Sequence, residues 1–187
     1  MQYTANFLHL TDTHLSAIGE PFARNDHKVT IPGIKHETRE GALDLLCRRL
    51  AEKLQHENKR LDAIFFTGDA QNRGRSGGHK ILLDMLLEHF GPIGISPDRI
   101  VAIPGNHDVP RETLPGSLER YRAFTEVWRE AGCVTPWLDG VDDTLHARYP
   151  HYLVGSDNKW AVFPINTANW SHVNISLPEP LASIWTT

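Results

Sequence analysis

Three short apolar runs, each closed by a polar cluster, constrain the fold of this chain more than any other feature. Phe7-Leu8-His9-Leu10 ends in Thr11-Asp12-Thr13-His14, and Ala63-Ile64-Phe65-Phe66 ends in Thr67-Gly68-Asp69. Ile100-Val101-Ala102-Ile103 ends in Pro104-Gly105-Asn106-His107-Asp108. Apolar runs of this length, bounded by turn formers, read as buried strands. Longer segments of helical period separate them. Leu43, Leu46, Leu50 and Leu54 make a stripe on a helix near 38–57. Leu82, Met85 or Leu86, and Phe90 do so near 79–90, and Leu118, Tyr121, Phe124 and Trp128 near 116–131. Strand and helix in alternation predict an α/β fold with a parallel sheet. Two later runs, His151–Gly155 and Trp160–Asn166, read as a hairpin-like pair around Ser156-Asp157-Asn158-Lys159.

In such a sheet the carboxyl ends of the strands line the ligand crevice. The three polar clusters are therefore expected to converge. They bring Asp, His and Asn, a set of oxygen and imidazole donors without thiolates. Such donors suit Mn, Fe, Zn, Mg, Co or Ni and disfavour a structural zinc finger. Asp-x-His by itself carries little information in a chain with 11 histidines. All three clusters in order, each on a strand end, carry much more. The stretch from Leu15 to Lys35 follows neither period and mixes Gly19, Pro21, Pro32 and Gly33 with Arg24, His27, Lys28 and Lys35. It reads either as a flap beside the first cluster or as a solvated insertion.

Composition sets the outer bounds. With 187 residues, 40% apolar and 22% charged, the chain is of ordinary globular type and of one-domain size. A net charge of -4 argues against a broadly basic nucleic-acid binder. Cys47 and Cys133 are the only cysteines. They lack metal-site spacing; Cys47, among helix formers, reads as a buried thiol, and reduced cysteines in a cytoplasmic protein are the reading preferred over a Cys47–Cys133 disulfide. No basic start precedes an apolar stretch, and no run reaches the length of a membrane span.

Asp12-x-His14, Gly68-Asp69 and Gly105-Asn106-His107-Asp108 resemble the first three motifs of the calcineurin-like metallophosphoesterase superfamily. The resemblance runs from about Asn6 to Trp170 and includes Pro164-Ile165-Asn166-Thr167, which is similar to a later strand of that family. It implies a phosphoesterase with two divalent metal ions. Asp12 and His14 would hold one ion, Asp69 would bridge, and Asn106 would hold the other. His107 would contact the scissile phosphate or protonate the leaving oxygen, oriented by Asp108. Asn72-Arg73-Gly74 extends the second motif towards the pattern of the protein serine/threonine phosphatases, where the Arg contacts phosphate; Arg73 is the corresponding candidate. The wording of the first and third motifs is closest to the cyclic-nucleotide phosphodiesterase branch, which implies phosphodiester hydrolysis and a nucleotide-like substrate. A nuclease of the repair-exonuclease branch is the alternative within the family, and a non-catalytic module that binds a partner is the alternative outside it.

The sequence also departs from the family pattern, which later supplies a lone His and a Gly-His-x-His. Here the Gly78-His79 pair is followed by Lys80-Ile81 and opens a helix. Among His146, His151 and His172, the last, beside Trp170-Ser171, comes nearest to a substitute ligand. The resemblance thus implies a four-layer α-β-β-α sandwich in a single domain, 1–187, incomplete on its carboxyl-terminal side. The uncharged Leu181–Thr187 end reads as an interrupted fold, and an open face of this kind favours self-association or a partner.

Overall fold

The computed structural model describes residues 5–15, 39–71, 77–138 and 148–168. Strands β1 (Phe7–Leu10), β2 (Ala63–Phe66) and β3 (Ile100–Ala102) form one parallel sheet in that order. Leu8 pairs with Ile64 and Ile64 with Ile100, while Leu10 pairs with Phe66 and Phe66 with Ala102. This register puts every strand's carboxyl end at the same edge, as the alternation of strand and helix requires. Val134 extends the sheet beyond β3 through a parallel bridge to Val101.

Side chains alternate across the sheet and divide the core in two. Ile64, Phe66, Ile100 and Ala102, with Leu8 and Leu10 at the margin, face the helices. Those helices are α1 (Arg39–His56), α2 (Gly78–Phe90) and α3 (Leu118–Phe124). Ala63, Val101 and Val134, with Phe65, face the hairpin of β4 (Leu153–Val154) and β5 (Ala161–Val162). Phe7 joins that side by packing on Phe65 and edge-on against Trp160. A sheet with helices on one face and antiparallel strands on the other is consistent with the expected α/β sandwich.

The helical stripes hold with two corrections. On α1, Leu46 is 49% exposed, and Leu45, Cys47 and Ala51 are buried while Leu43, Leu50 and Leu54 pack partly against the core. The apolar face is thus centred on the small residues Cys47 and Ala51, which let the helix lie close to its neighbours. On α3, Leu118 is exposed, and Tyr121, Phe124 and Trp128 carry the burial. The α-helix also ends sooner than its apolar period suggested, passing into a π turn at Thr125–Arg129. Thr125 Oγ1 donates back to the carbonyl oxygens of Tyr121 or Arg122 (both 3.0 Å), and the Glu130 amide bonds five residues back to Thr125 O. Such back-bonding competes with the regular ladder.

The hairpin is shorter than its apolar runs: pairing is confined to Leu153–Val162 and Val154–Ala161. Pro164–Thr167 is not a strand here. Asn166 instead donates its Nδ2 to the Tyr121 hydroxyl (2.8 Å) and accepts the Ala168 amide (3.0 Å). Both cysteines are free and buried, and burial pushes both thiols up to about 12. No helix among the described residues is long and apolar enough to cross a membrane. The expected 15–35 flap beyond Leu15, and the Leu181–Thr187 end, lie outside the described residues.

Candidate metal centre

Where β1 and β2 end, their chains stay cross-linked. Asp12 N donates to Gly68 O (3.0 Å), His14 N to Asp69 O (2.8 Å) and Leu15 N to Ala70 O (2.7 Å). These bonds run through residues that have left extended geometry: Asp12 (φ 54°), His14 (φ 44°) and Asp69 (φ 62°) all adopt left-handed backbone. Each such non-glycine residue costs on the order of 1 kcal/mol, and such strain concentrates at functional sites. The result is that three ligand-type side chains share one place. Ligand atoms of Asp12, His14 and Asp69 lie within 4.8 Å of one another. Among the described acidic, histidine and cysteine side chains, this is the one such group.

The residues fit a divalent ion. Two carboxylates and an imidazole form a hard to borderline donor set. Asp12 is open to solvent, which leaves an entry path, whereas Asp69 is buried. His14 Nδ1 is buried without a hydrogen-bond partner, and the Nε2 lies 3.8 Å from Asp12 Oδ1. Among the described residues nothing satisfies that buried nitrogen, and two carboxylates gathered by one imidazole repel each other unless a cation joins them.

The third cluster is fastened to the second by Asp108. Its Oδ2 accepts the amides of Asp69 (2.7 Å) and Gly105 (2.8 Å), and its Oδ1 accepts the amide of Gln71 (3.1 Å). Burial pushes the Asp108 carboxyl up to about 7, and the three backbone N–H bonds pull it back towards the ionised form. Asp69 returns the link, its Oδ1 accepting the His107 amide at 2.8 Å. The His107 ring stands edge-on to His14, with ring centres 4.8 Å apart. Asn106 is exposed on the same turn, between Gly105 and His107, whose backbones are both tied into this bonding. Asp108 was expected to orient His107 directly. Its carboxylate, 1% exposed, instead accepts backbone amides of the turns after β2 and β3 and so braces both.

Two glycines make the approach possible. Gly68 has φ 105°, and a Cβ there would lie 2.6 Å from Gly105 Cα. A Cβ on Gly105 would collide with Asp69 Oδ1. Arg73, His146 and His172 lie outside the described residues. His151 is described, and it is engaged elsewhere: Nδ1 donates to Thr135 O (2.9 Å) and the ring lies against Trp137. Two residues behind the site were not anticipated, Gln71 and His79, each 1% exposed. His79 Nδ1 accepts the Trp128 indole N–H (3.0 Å), and its Nε2 lies 3.6 Å from Asp108 Oδ1. The signal for burial was present, since His79 precedes Leu82 by three residues on the apolar stripe of α2.

Gly105→Ala should displace the Asp69 carboxylate. The expected result is Mn²⁺ affinity lowered about tenfold or more, with helix content retained, read by calorimetry and circular dichroism. A second expectation concerns acid. Burial holds His79 down at about 3 against an ordinary 6.5, so the folded state resists its protonation. Its contribution to stability is complete above 6.5 and is lost as pH falls from there towards 3. His79→Gln cannot titrate. Urea denaturation between pH 7 and 4 should show the variant gaining on the parent by on the order of a kcal/mol per pH unit below 6.5.

A family model described as calcineurin-like phosphoesterase matches residues 5–182, nearly the whole chain. No curated protein matches it. The match spans all three polar clusters and the elements that position them. The chain thus belongs to the calcineurin-like phosphoesterase family, which fits a hydrolase of phosphoester bonds that works with divalent metal.

Proposed function

We propose that this chain hydrolyses phosphodiesters, nucleotide-like ones in particular, at a centre built for two divalent ions. The observation that carries the reading is the convergence of Asp12, His14 and Asp69 at the carboxyl edge of the parallel sheet. Asp12 and His14 would hold one ion, Asp69 would be shared, and Asn106 would serve the second. Ions held there supply Lewis acidity towards the phosphoryl oxygens and activate water for attack. Asp12 and Asp69 bring two negative charges, which leaves a doubly occupied site with a positive surplus for an anionic ester.

The remaining work falls to the protein. His107 is assigned to protonate the departing oxygen; its amide bond to Asp69 and the edge-on contact of its half-buried ring with His14 support that reading. A positioned acid of this kind contributes on the order of 10²–10⁴-fold. Asp108 keeps the turns in register. Arg73 is assigned to the phosphate on its motif and on the match between guanidinium and phosphate geometry.

Asp69→Asn tests the shared ligand. The amide keeps an oxygen for the His107 N–H and loses the charge, so Mn²⁺ calorimetry should show both binding events weakened. Undiminished binding of two ions would overturn the bridge. His107→Ala should leave Mn²⁺ binding nearly unchanged and slow turnover about a hundredfold or more. The loss should shrink for diesters with nitrophenolate leaving groups, which depart without a proton. Parallel assays on a phosphomonoester and a cyclic nucleotide decide the substrate class.

A further inference from the structure

Behind the metal centre, the bonding of Asp108 is one donor short. A carboxylate oxygen accepts two hydrogen bonds comfortably. Oδ2 receives two, from Asp69 and Gly105, whereas Oδ1 receives the Gln71 amide. Facing Oδ1 at 3.6 Å is His79 Nε2, in a side chain 1% exposed, and this nitrogen has no hydrogen-bond partner among the described residues. Its protonation follows from its other side. The Trp128 indole can only donate, so Nδ1 must be the acceptor and the proton of the neutral ring sits on Nε2. The orphan donor therefore lies 3.6 Å from an oxygen that takes one amide bond, a few tenths of an ångström beyond hydrogen-bond range. Phe124 and Trp128 both meet the imidazole edge-on and fix its plane.

We propose that His79, held in its Nε2–H tautomer by Trp128, is a positioning residue of the metal centre that presents a polar N–H to Asp108 Oδ1 and steadies that carboxylate electrostatically. The chain of contact runs from the π turn through Trp128 and His79 to Asp108, and from there to the backbones of Asp69 and Gly105. His79 touches neither ion nor substrate. Its effect is to hold the carboxylate that holds the ligand turns. The assignment rests on the metal centre proposed above.

The ring itself gives the first test. In the full-length chain, ¹⁵N–¹H correlation of the His79 imidazole should show the proton on Nε2, with slow solvent exchange. A proton on Nδ1 overturns the proposal whatever the metal does. The second test is Mn²⁺ affinity in a Trp128→Phe background, where no buried indole N–H is stranded. There His79→Leu, which donates nothing, should bind Mn²⁺ roughly 10–100-fold more weakly than His79→Gln, whose amide can still donate to Asp108. Both variants are compared at matched thermal stability. Equal affinities in the two would show that His79 merely fills space and would overturn the proposal. If the Leu variant does not fold, His79→Asn takes its place, because the shorter amide cannot span the gap to Asp108. Should the unmodified chain itself bind no Mn²⁺, the metal centre is what fails, and the tautomer measurement still decides the placement of His79.

Discussion

A single carboxylate holds the ligand-bearing turns together. Asp108 gathers backbone amides from Asp69, Gln71 and Gly105, two of them on the turn after β2 and one on the turn after β3. Hydrogen bonds to an ionised acceptor are about twice as strong as neutral ones. Three of them converging in a buried position offset part of the cost of taking the charge out of water, and burial still leaves the carboxyl raised to about 7. Remove the carboxylate and three amides lose their partner at once, in a place water reaches poorly. The position of Asp69 depends on this, and the positions of His107 and Asn106 follow from Asp69.

The same arrangement explains why the site tolerates unfavourable backbone. Asp12, His14 and Asp69 sit in left-handed conformations that an isolated chain would leave. They stay because their neighbours are fixed: Asp12 and His14 by amide bonds across to the β2 turn, Asp69 by Asp108. Beneath them lies the sheet, with Ile64, Phe66, Ile100 and Ala102 sealed against the helices and Ala63 and Val101 against the hairpin side. Rigid packing below and hydrogen bonding above leave Asp12 and Asn106 as the parts open to solvent.

Much of this was legible in the sequence because it depends on short-range pattern. Four-residue apolar runs ending in polar clusters specify strands, and the helical segments between them make those strands parallel. Parallel strands bring their ends to one edge, so the meeting of Asp12, His14 and Asp69 follows from periodicity. What was illegible depends on packing across the chain. Leu46 satisfies the helical period yet faces solvent, while Leu45, Cys47 and Ala51 take the buried face. Asp108 carries the chemistry expected of a residue that orients a catalytic histidine. Its actual bonds go to amides, and backbone donors leave no mark in a sequence. His79 showed its burial through its spacing from Leu82, Leu86 and Phe90, but its bond to Trp128 joins residues 49 positions apart. The π turn had a local sign in Thr125, whose hydroxyl can reach back along the helix, although most threonines in helices produce no such shift.

The bridge between Leu15 and Gln71 has a consequence for the order in which the molecule can be assembled. It lies beyond the last paired residues of β1 and β2, and the intervening chain must already be looped back before it forms. Closing long loops is entropically slow, and parallel pairing makes it slower. An unfolded chain therefore presents no cluster resembling Asp12, His14 and Asp69, and an ion cannot template the early collapse. Its influence comes afterwards. Once captured, it joins segments that part only when the sheet edge opens, so metal in the surroundings slows the escape from the native state more than it hastens arrival there.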